Sequence, residues 1–271
     1  GYVGGDIVSD LAAVQMHSSE LARDGEKETL LLDIGTNGEM VLGRSGEFVC
    51  CATAAGPAFE GAEIAMGMPA ASGAISKVWM EDGKICCSVI DDAKAIGICG
   101  SGLIDALAVF LETGLLDETG LIADENDVDK AFARYLGKDE NGSCIWLTEE
   151  VKVTQADVRK LQLAKASIAA GIQILLEERQ IAVTDVEQVI LAGGFGSFLN
   201  KKSAAAIGLI PAKLEQMTVP VGNAAGEGAV SAALSKAARQ ELGRLQKEMR
   251  YVELSTHKKF SDVYMAEMFF E

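Results

Sequence analysis

The sequence predicts an α/β fold, because strand-like and helix-like segments alternate along the chain. Two strand-like runs, LLL at 30–32 and VILA at 189–192, are apolar throughout, which is typical of strands buried in a sheet. Each of these runs leads into a glycine-rich turn, and helical segments lie between them. We therefore expect a sheet flanked by helices, with two glycine turns following its buried strands.

The individual elements follow from local patterns. A first helix is predicted at residues 5–23, with Asp6 as a candidate N-cap. Thr154 begins the longest predicted helix, and Asp157 follows three residues later as in a capping box. The other predicted elements are a strand at 29–33, a hairpin of strands at 39–43 and 46–52, antiparallel strands within 73–90, a helix within 98–116, a strand at 186–192, a helix at 223–249 and a strand-like tail at 251–254.

The composition excludes several classes of protein. The 24 basic and 40 acidic residues give a net charge of −16, which argues against nucleic-acid binding through a broad basic face. No apolar run is long enough to span a membrane, and the first residues do not resemble a signal peptide. The six cysteines lack metal or iron–sulfur spacing, and the two histidines, His17 and His257, lack metal-ligand partners in sequence. We expect reduced, mostly buried cysteines in a cytoplasmic protein.

The first glycine turn interrupts the segment LLLDIGTNGEMVLG at 30–43. Gly35 and Gly38 let the backbone approach a ligand closely, and Thr36 and Asn37 add side-chain donors. Asp33, at the end of the strand, can hold Mg²⁺ through its water shell, because magnesium takes one or two carboxylates and keeps waters. The pattern suits a metal–polyphosphate. An ordinary hairpin in which Asp33 caps the turn has the same pattern.

The second glycine turn is GGFG at 193–196, after the strand VILA. With Gly193, Gly194 and Gly196 around Phe195, a flat ring can lie against the backbone. A strand-to-helix turn that requires positive φ has the same pattern. The segment lacks a GxGxxG pattern with a following acidic residue, and the chain has no GxxxxGK[ST] motif, so neither a Rossmann site nor a P-loop is predicted.

The order of these pieces resembles the second half of the actin-like (ASKHA) ATPases, whose fold is RNase H-like. More closely, the chain resembles the C-terminal part of the ATP-dependent reductive activators of corrinoid proteins. The blocks that carry this resemblance are DIGTNGE, TAAGPAFEGAEI, GICGSGLIDA, LQLAKASIAAGI, LAGGFGSFL, IGLIP and GNAAGEGA. They extend from about residue 1 to residue 254.

The resemblance implies roles for individual residues. Asp33 and the hairpin residues Gly35, Thr36, Asn37 and Gly38 would bind the β- and γ-phosphates of ATP, with Asp33 toward Mg²⁺. The turn Gly193, Gly194, Phe195 and Gly196 would bind adenosine. Glu60, Gly61 and Glu63 fall where relatives place a loop and helix near the nucleotide. Asp6, which is otherwise a plain helix cap, would position a magnesium-bound water, so Asp33 and Asp6 are the candidate catalytic residues.

The resemblance also implies an activity and partners. In this family an iron–sulfur domain carrying a [2Fe–2S] cluster returns an inactive cob(II)amide of a methyl-transfer protein to cob(I)amide with the help of ATP. The expected partner is therefore a corrinoid protein, and relatives suggest a homodimer. We expect an actin-like α/β core at residues 1–63 and 151–271, with an inserted α+β subdomain at 64–150. The acidic insertion is either a docking face or a solvated surface.

Two departures from the family pattern are evident. The chain has one D-x-G-T hairpin where actin-like ATPases have two, and it has no cysteine-rich electron-transfer domain. We expect a fragment that carries half of a nucleotide cleft, binds ATP poorly and hardly hydrolyses it, because catalysis needs groups from both halves. Two alternatives stay open: a small-molecule kinase of the same fold, and a non-catalytic docking or dimerisation module.

Overall fold

The computed structural model describes residues 3–17, 27–44, 46–140, 142–196 and 198–270. The strands are β1 (Thr29–Ile34), β2 (Gly38–Arg44), β3 (Glu47–Thr53), β4 (Ala74–Glu81), β5 (Lys84–Val89), β6 (Gly97–Ile98), β7 (Leu136–Asp139), β8 (Gly142–Trp146), β9 (Lys152–Thr154), β10 (Gln188–Ala192), β11 (Thr218–Gly222) and β12 (Met249–Tyr251). The helices are α1 (Asp6–His17), α2 (Gly100–Glu112), α3 (Lys130–Ala133), α4 (Gln155–Arg179), α5 (Gly193–Gly196), α6 (Lys201–Ala206), α7 (Ala224–Leu234), α8 (Lys236–Glu248) and α9 (Phe260–Ala266). The predicted alternation of strands and helices is confirmed.

The chain divides into two compact units. Unit 1 comprises Gly1–Ala54, Ser167–Phe198 and Pro211–Tyr264, and unit 2 comprises Ala55–Ala166, Leu199–Ile210 and Met265–Glu271. The predicted insertion at 64–150 lies within unit 2, which also contains residues 55–63 and 151–166.

Unit 1 is built on a six-stranded mixed sheet in the order β11-β10-β1-β2-β3-β12. The central strand β1 pairs antiparallel with β2 and parallel with β10, and β10 pairs parallel with β11. The carboxyl ends of β1, β10 and β11 therefore meet at one edge of the sheet. The glycine turn after β1, the GGFG turn after β10 and the start of α7 all leave the sheet at that edge.

Helices cover this sheet because its strands are apolar. On one face, Leu31 of β1 packs in a cluster with Ile7 and Leu11 of α1 and Leu245 of α8. Elsewhere on the sheet, Gly171 of α4 lets Met40 of β2 approach the helix, since a Cβ on this glycine would lie 2.3 Å from the methionine Cε. The sheet and α1 thus form one packed body, which fixes the helix against the carboxyl end of β1.

Unit 2 contains two three-stranded sheets, in the orders β5-β4-β6 and β7-β8-β9. Helix α2 packs directly on β4, because a Cβ on Gly102 would lie 2.3 Å from the carbonyl oxygen of Ile75. Asp105 of α2 is buried and accepts hydrogen bonds from the Ser203 hydroxyl at 2.6 Å and the Val78 N–H at 3.3 Å. These bonds tie α2 to α6 and β4.

Three predicted elements end differently in the structure. The predicted helix at 223–249 is two helices, because Ser235 is extended (φ −127°, ψ 127°) and its hydroxyl accepts the Ala238 N–H at 3.3 Å as the N-cap of α8. The predicted strand at 251–254 lies earlier, at Met249–Tyr251, where it pairs with β3. The first helix is described as far as His17, and residues 18–23 of the predicted helix lie outside the described residues.

The cysteines are free thiols, of which Cys50, Cys51, Cys99 and Cys144 are buried, as predicted. His257 lies 3.5 Å from the Glu178 carboxylate, and the side chain of His17 lies outside the described part of the chain. No helix among the described residues combines the length and apolar character needed to cross a membrane.

The predicted capping box at the start of α4 is confirmed, and it predicts a large local stability effect. The buried Asp157 carboxylate accepts hydrogen bonds from the Thr154 N–H at 2.9 Å and the Ala65 N–H at 2.8 Å. Its own N–H donates to the Thr154 hydroxyl at 3.2 Å. We expect Asp157→Ala to lower the free energy of unfolding by about 2–4 kcal/mol, because it leaves buried N–H groups unsatisfied. Hydrogen exchange at the amides of Ala65 and Thr154 should accelerate accordingly.

Asp185→Ala is the matched control for this prediction. Asp185 also caps a helical turn, but it is exposed and accepts a single N–H, that of Ala182, at 2.8 Å. Its loss should cost about 0.5–1 kcal/mol, since water can replace the bond. Equal costs for the two variants, measured by denaturant titration and hydrogen exchange, would contradict the role given to Asp157.

Candidate functional site

The hairpin that follows β1 presents a carboxylate and an exposed turn at the edge of the sheet. Asp33 pairs with Glu39 across the hairpin, and the half-buried Gly35 donates its N–H to the carbonyl of Asn37 at 2.9 Å. Thr36 and Asn37 are exposed. The turn therefore exposes backbone and polar side chains next to the Asp33 carboxylate.

Gly38 has a different role from the other turn residues. It is buried, and a Cβ there would lie 3.1 Å from Cγ1 of Ile168 and 3.2 Å from Cγ2 of Thr53. In this structure the missing side chain lets β2 pack against α4. That Gly38 also contacts phosphate stays a prediction.

The second glycine turn lies against the first. Ala192, the last residue of β10, is in register with Asp33 of the parallel strand β1. Gly193 follows with φ +88°, and a Cβ on it would lie 2.4 Å from Oδ1 of Asp33. The two motifs that the sequence separates by about 160 residues are thus in direct contact, and the contact requires glycine at position 193.

The rest of the GGFG turn forms the single helical turn α5. Gly194 is exposed, and a Cβ placed on it meets no atom within 4 Å. Gly196 is buried against Leu191, and the side chain of Phe195 lies outside the described part of the chain. Open space for a ligand therefore lies beside Gly194.

Helix α1 adds two carboxylates to this edge. Asp6 is exposed in its first turn, and Asp10, one turn later, is fully buried (0% exposed). The Gly5 carbonyl accepts the Ser9 N–H at 3.0 Å, so Gly5 takes the cap position and the prediction that Asp6 is the N-cap is wrong. Asp6 is instead the first helical residue.

Close packing of α7 on α1 buries Asp10. A Cβ on Gly228 of α7 would lie 2.1 Å from the carbonyl oxygen of Ser9, so the two helices touch backbone to backbone. The Asn223 side chain caps α7 by accepting the Gly226 N–H at 2.9 Å. The N–H of Ala225, in the first turn of α7, reaches the Asp10 carboxyl.

The pKa values of three carboxyl groups at this edge, Asp10, Asp33 and Glu39, are raised. Burial, together with the facing Asp33 carboxyl and Asp6, raises the pKa of Asp10 to about 8. Burial also raises the pKa of Asp33, with Asp6 acting in the same direction and the hydrogen bond with Asp10 against it. Burial, then Asp33 and Asp6, raises the pKa of Glu39. A group of acids in which ionisation is disfavoured attracts a counter-charge, either a proton or a cation.

Both Asp10 oxygens are shielded from solvent, and neither accepts a hydrogen bond of ordinary distance and angle from the described residues. The Ala225 N–H and the Asp33 carboxyl nevertheless lie near enough to influence its ionisation. Asp10 and Glu39 were not predicted as site residues. Glu39 was available from the hairpin register, whereas the only sequence signal for Asp10 is its i, i+4 spacing to Asp6 on the helix, which does not show that it is buried.

The predicted loop residues Glu60, Gly61 and Glu63 belong to unit 2. The chain turns sharply there, with Gly61 at φ +80° and Glu63 at φ +64°. The Lys160 ammonium donates to the Glu63 carbonyl, which ties the turn to α4. That these residues lie near the nucleotide stays a prediction.

The sequence profile of the C-terminal domain of RACo, described as the ASKHA domain, matches residues 27–271. The chain belongs to this family. The predicted resemblance and fold class are therefore confirmed, and nucleotide binding is a property of the ASKHA family to which this RACo C-terminal domain belongs.

Individual relatives agree with the family. The chain is 37% identical to the corrinoid activation enzyme RamQ of Eubacterium limosum, over 99% of this chain and 46% of that protein. It is 26% identical to the [Co(II) methylated amine-specific corrinoid protein] reductase of Methanosarcina barkeri, over 97% of this chain and 49% of that protein. The solved structure of a reductive activator for corrinoid,iron-sulfur protein superposes with a TM-score of 0.87 and 36% identity, over 98% of this chain and 42% of that one. The chain thus spans about half the length of these relatives.

Proposed function

We propose that this chain is the nucleotide-binding C-terminal part of an ATP-dependent activator of a corrinoid methyl-transfer protein. In the full protein, a [2Fe–2S] cluster in an upstream domain would supply the single electron that reduces cob(II)amide to cob(I)amide. ATP drives this unfavourable step through a conformational change. The names of the two curated relatives, a corrinoid activation enzyme and a corrinoid protein reductase, support this interpretation.

The observation that carries the proposal is the contact between Gly193 and Asp33. It brings the hairpin after β1 and the GGFG turn after β10 to one edge of the sheet, where a single nucleotide would reach both. We assign the β- and γ-phosphates to the exposed turn at Gly35, Thr36 and Asn37. We assign adenosine to the open space beside Gly194.

The residues present fit Mg²⁺. Magnesium needs only one or two carboxylates when phosphates and waters complete its shell. No group of three or more His, Cys, Asp or Glu side chains among the described residues forms a ready metal site. Asp33, half-buried at the strand end, would hold the ion, and the exposed Asp6 would position one of its waters.

The other parts of the proposal come from the family. We propose that the partner is a corrinoid protein, that the full protein acts as a homodimer, and that residues 64–150 are the inserted subdomain. Glu60, Gly61 and Glu63 would line the nucleotide. The chain alone should not turn over ATP measurably, because the groups that position the attacking water come from both halves of the cleft.

Calorimetric titration with a non-hydrolysable Mg²⁺–ATP analogue tests the nucleotide assignment. We expect binding to the chain, loss of binding in Asp33→Ala, and loss of binding in Gly194→Val, whose side chain fills the open space. Gly194→Val should unfold at the wild-type temperature, because a Cβ there meets nothing in the protein.

Gly243→Ala serves as the control substitution. Gly243 lies in α8, and a Cβ there also meets no atom within 4 Å, so this variant should bind like the wild type. If the chain binds nothing, the titration is repeated on a form extended upstream. Absence of binding in that longer form would exclude the ATPase function.

A further inference from the structure

Asp10 is a fully buried carboxylate to which the family resemblance gives no role. Its side chain is 0% exposed, and both oxygens lack a hydrogen bond of ordinary geometry among the described residues. A buried carboxylate whose hydrogen bonding is this weak is costly unless a nearby group compensates its charge. The neighbourhood of Asp10 therefore indicates what is missing.

The groups that act on Asp10 come from three elements. Asp6 precedes it by one turn of α1, and Asp33 faces it from β1. Helix α7 contributes the backbone N–H of Ala225. The described groups that act most strongly on Asp10 and Asp33 include no lysine or arginine. Of these groups, only the Ala225 N–H favours the ionised form of Asp10, and the neighbouring aspartates oppose it. A bound cation would balance this negative charge.

Glycine at position 193 leaves room for the Asp33 carboxylate, because a Cβ there would lie 2.4 Å from Asp33 Oδ1. The three aspartates change from exposed Asp6 through half-buried Asp33 to fully buried Asp10, which places Asp10 at the inner end. Two carboxylates fit magnesium, which takes one or two from a protein when phosphates and waters complete the shell.

We propose that Asp10 and Asp33 together hold a divalent cation, with Asp10 as the inner carboxylate of the pair. The assignment rests on the proposed nucleotide function only for the phosphates that complete the coordination. It predicts that the cation binds through Asp10 whether or not nucleotide is present, and that the charge of Asp10, not its size, is required.

Mn²⁺ titration followed by electron paramagnetic resonance tests this, because Mn²⁺ occupies oxygen-ligand sites that suit Mg²⁺. The signal of free Mn²⁺ is measured for the wild type, Asp10→Asn and Asp33→Asn, each with and without ADP. We expect either substitution to weaken Mn²⁺ binding at least about tenfold. Asp262→Asn, an exposed carboxylate on α9, should leave the affinity unchanged and controls for net charge.

Thermal unfolding provides a readout that is independent of binding curves. Mn²⁺ should raise the unfolding temperature of the wild type and not that of Asp10→Asn, while Asp10→Asn without metal should be at least as stable as the wild type. Wild-type Mn²⁺ affinity in Asp10→Asn, with or without ADP, would overturn the proposal. So would an absence of Mn²⁺ binding to the wild type in both conditions.

The failure of this proposal and that of the nucleotide function are distinguishable. Mn²⁺ binding that depends on Asp10, in a chain to which ADP does not bind, supports the cation site and counts against the nucleotide function. Nucleotide binding with Mn²⁺ affinity that is insensitive to Asp10 supports the nucleotide function and overturns the cation site.

Discussion

Substituting alanine for Gly193 should weaken Mg²⁺–nucleotide binding about 10–100-fold and cost about 2–3 kcal/mol of stability. The added Cβ would lie 2.4 Å from Asp33 Oδ1, closer than any real contact, and the residue would have to keep φ at +88°. Either the Asp33 carboxylate moves away from the ligand, or the GGFG turn moves away from the sheet. Both responses separate the two halves of the site.

Gly194→Ala is the matched control, because it makes the same chemical change one residue along the chain. A Cβ on Gly194 meets no protein atom within 4 Å, so the folded chain should keep its stability. Denaturant titration and calorimetry on both variants check the prediction. Equal stability for Gly193→Ala and Gly194→Ala would show that the contact with Asp33 does not constrain position 193.

Local sequence patterns predict the parts of this site that depend on neighbouring residues. The apolar run before Asp33 predicts its place at a strand end, and parallel pairing of two such strands brings their carboxyl ends together. The Thr154–Asp157 capping box was visible for the same reason, since both residues lie within one turn. The strand end and the capping box need no knowledge of distant packing, whereas the pairing of β1 with β10 joins segments about 160 residues apart.

Asp10 could not be predicted in this way. In DIVSDLAAV it occupies a polar position of an amphipathic helix, which is typical of a solvated face. Its burial depends on α7, which follows more than 200 residues later and packs closely through Gly228. The sequence also did not predict the helix break at Ser235, because the helical periodicity continues across this residue. The break is visible only in the structure, where Ser235 is extended and caps the start of α8.

Asp10→Asn should stabilise the metal-free chain, and more strongly at pH 8 than at pH 4. Burial and the neighbouring Asp33 raise the pKa of Asp10 from its ordinary value of 3.8 to about 8 in the folded protein. Below pH 4 the carboxyl is protonated in both folded and unfolded chains, so its titration has no effect there. As the pH rises, the unfolded chain loses this proton while the folded chain keeps it, so wild-type stability falls up to about pH 8 and then levels off.

Asparagine removes this dependence because it resembles the protonated acid. Its amide can donate to the Asp33 carboxylate, and its carbonyl can accept the Ala225 N–H, without any ionisation. The advantage of Asp10→Asn should therefore grow across this pH window to on the order of 2 kcal/mol, allowing for the coupling to Asp33.

Urea titrations from pH 4 to pH 9, with a chelator present, measure the difference in free energy between the variant and the wild type. Taking the difference cancels the carboxylates with lowered pKa values, such as Glu178 beside Arg250 and Glu241 beside Arg244, which act in the opposite direction in both chains. Asp262→Asn, which removes an exposed carboxylate, serves as the control for the change in net charge. A flat difference for Asp10→Asn would mean that Asp10 ionises normally in the folded chain. In that case the Ala225 N–H and the N-terminus of α7 would suffice to stabilise the buried charge.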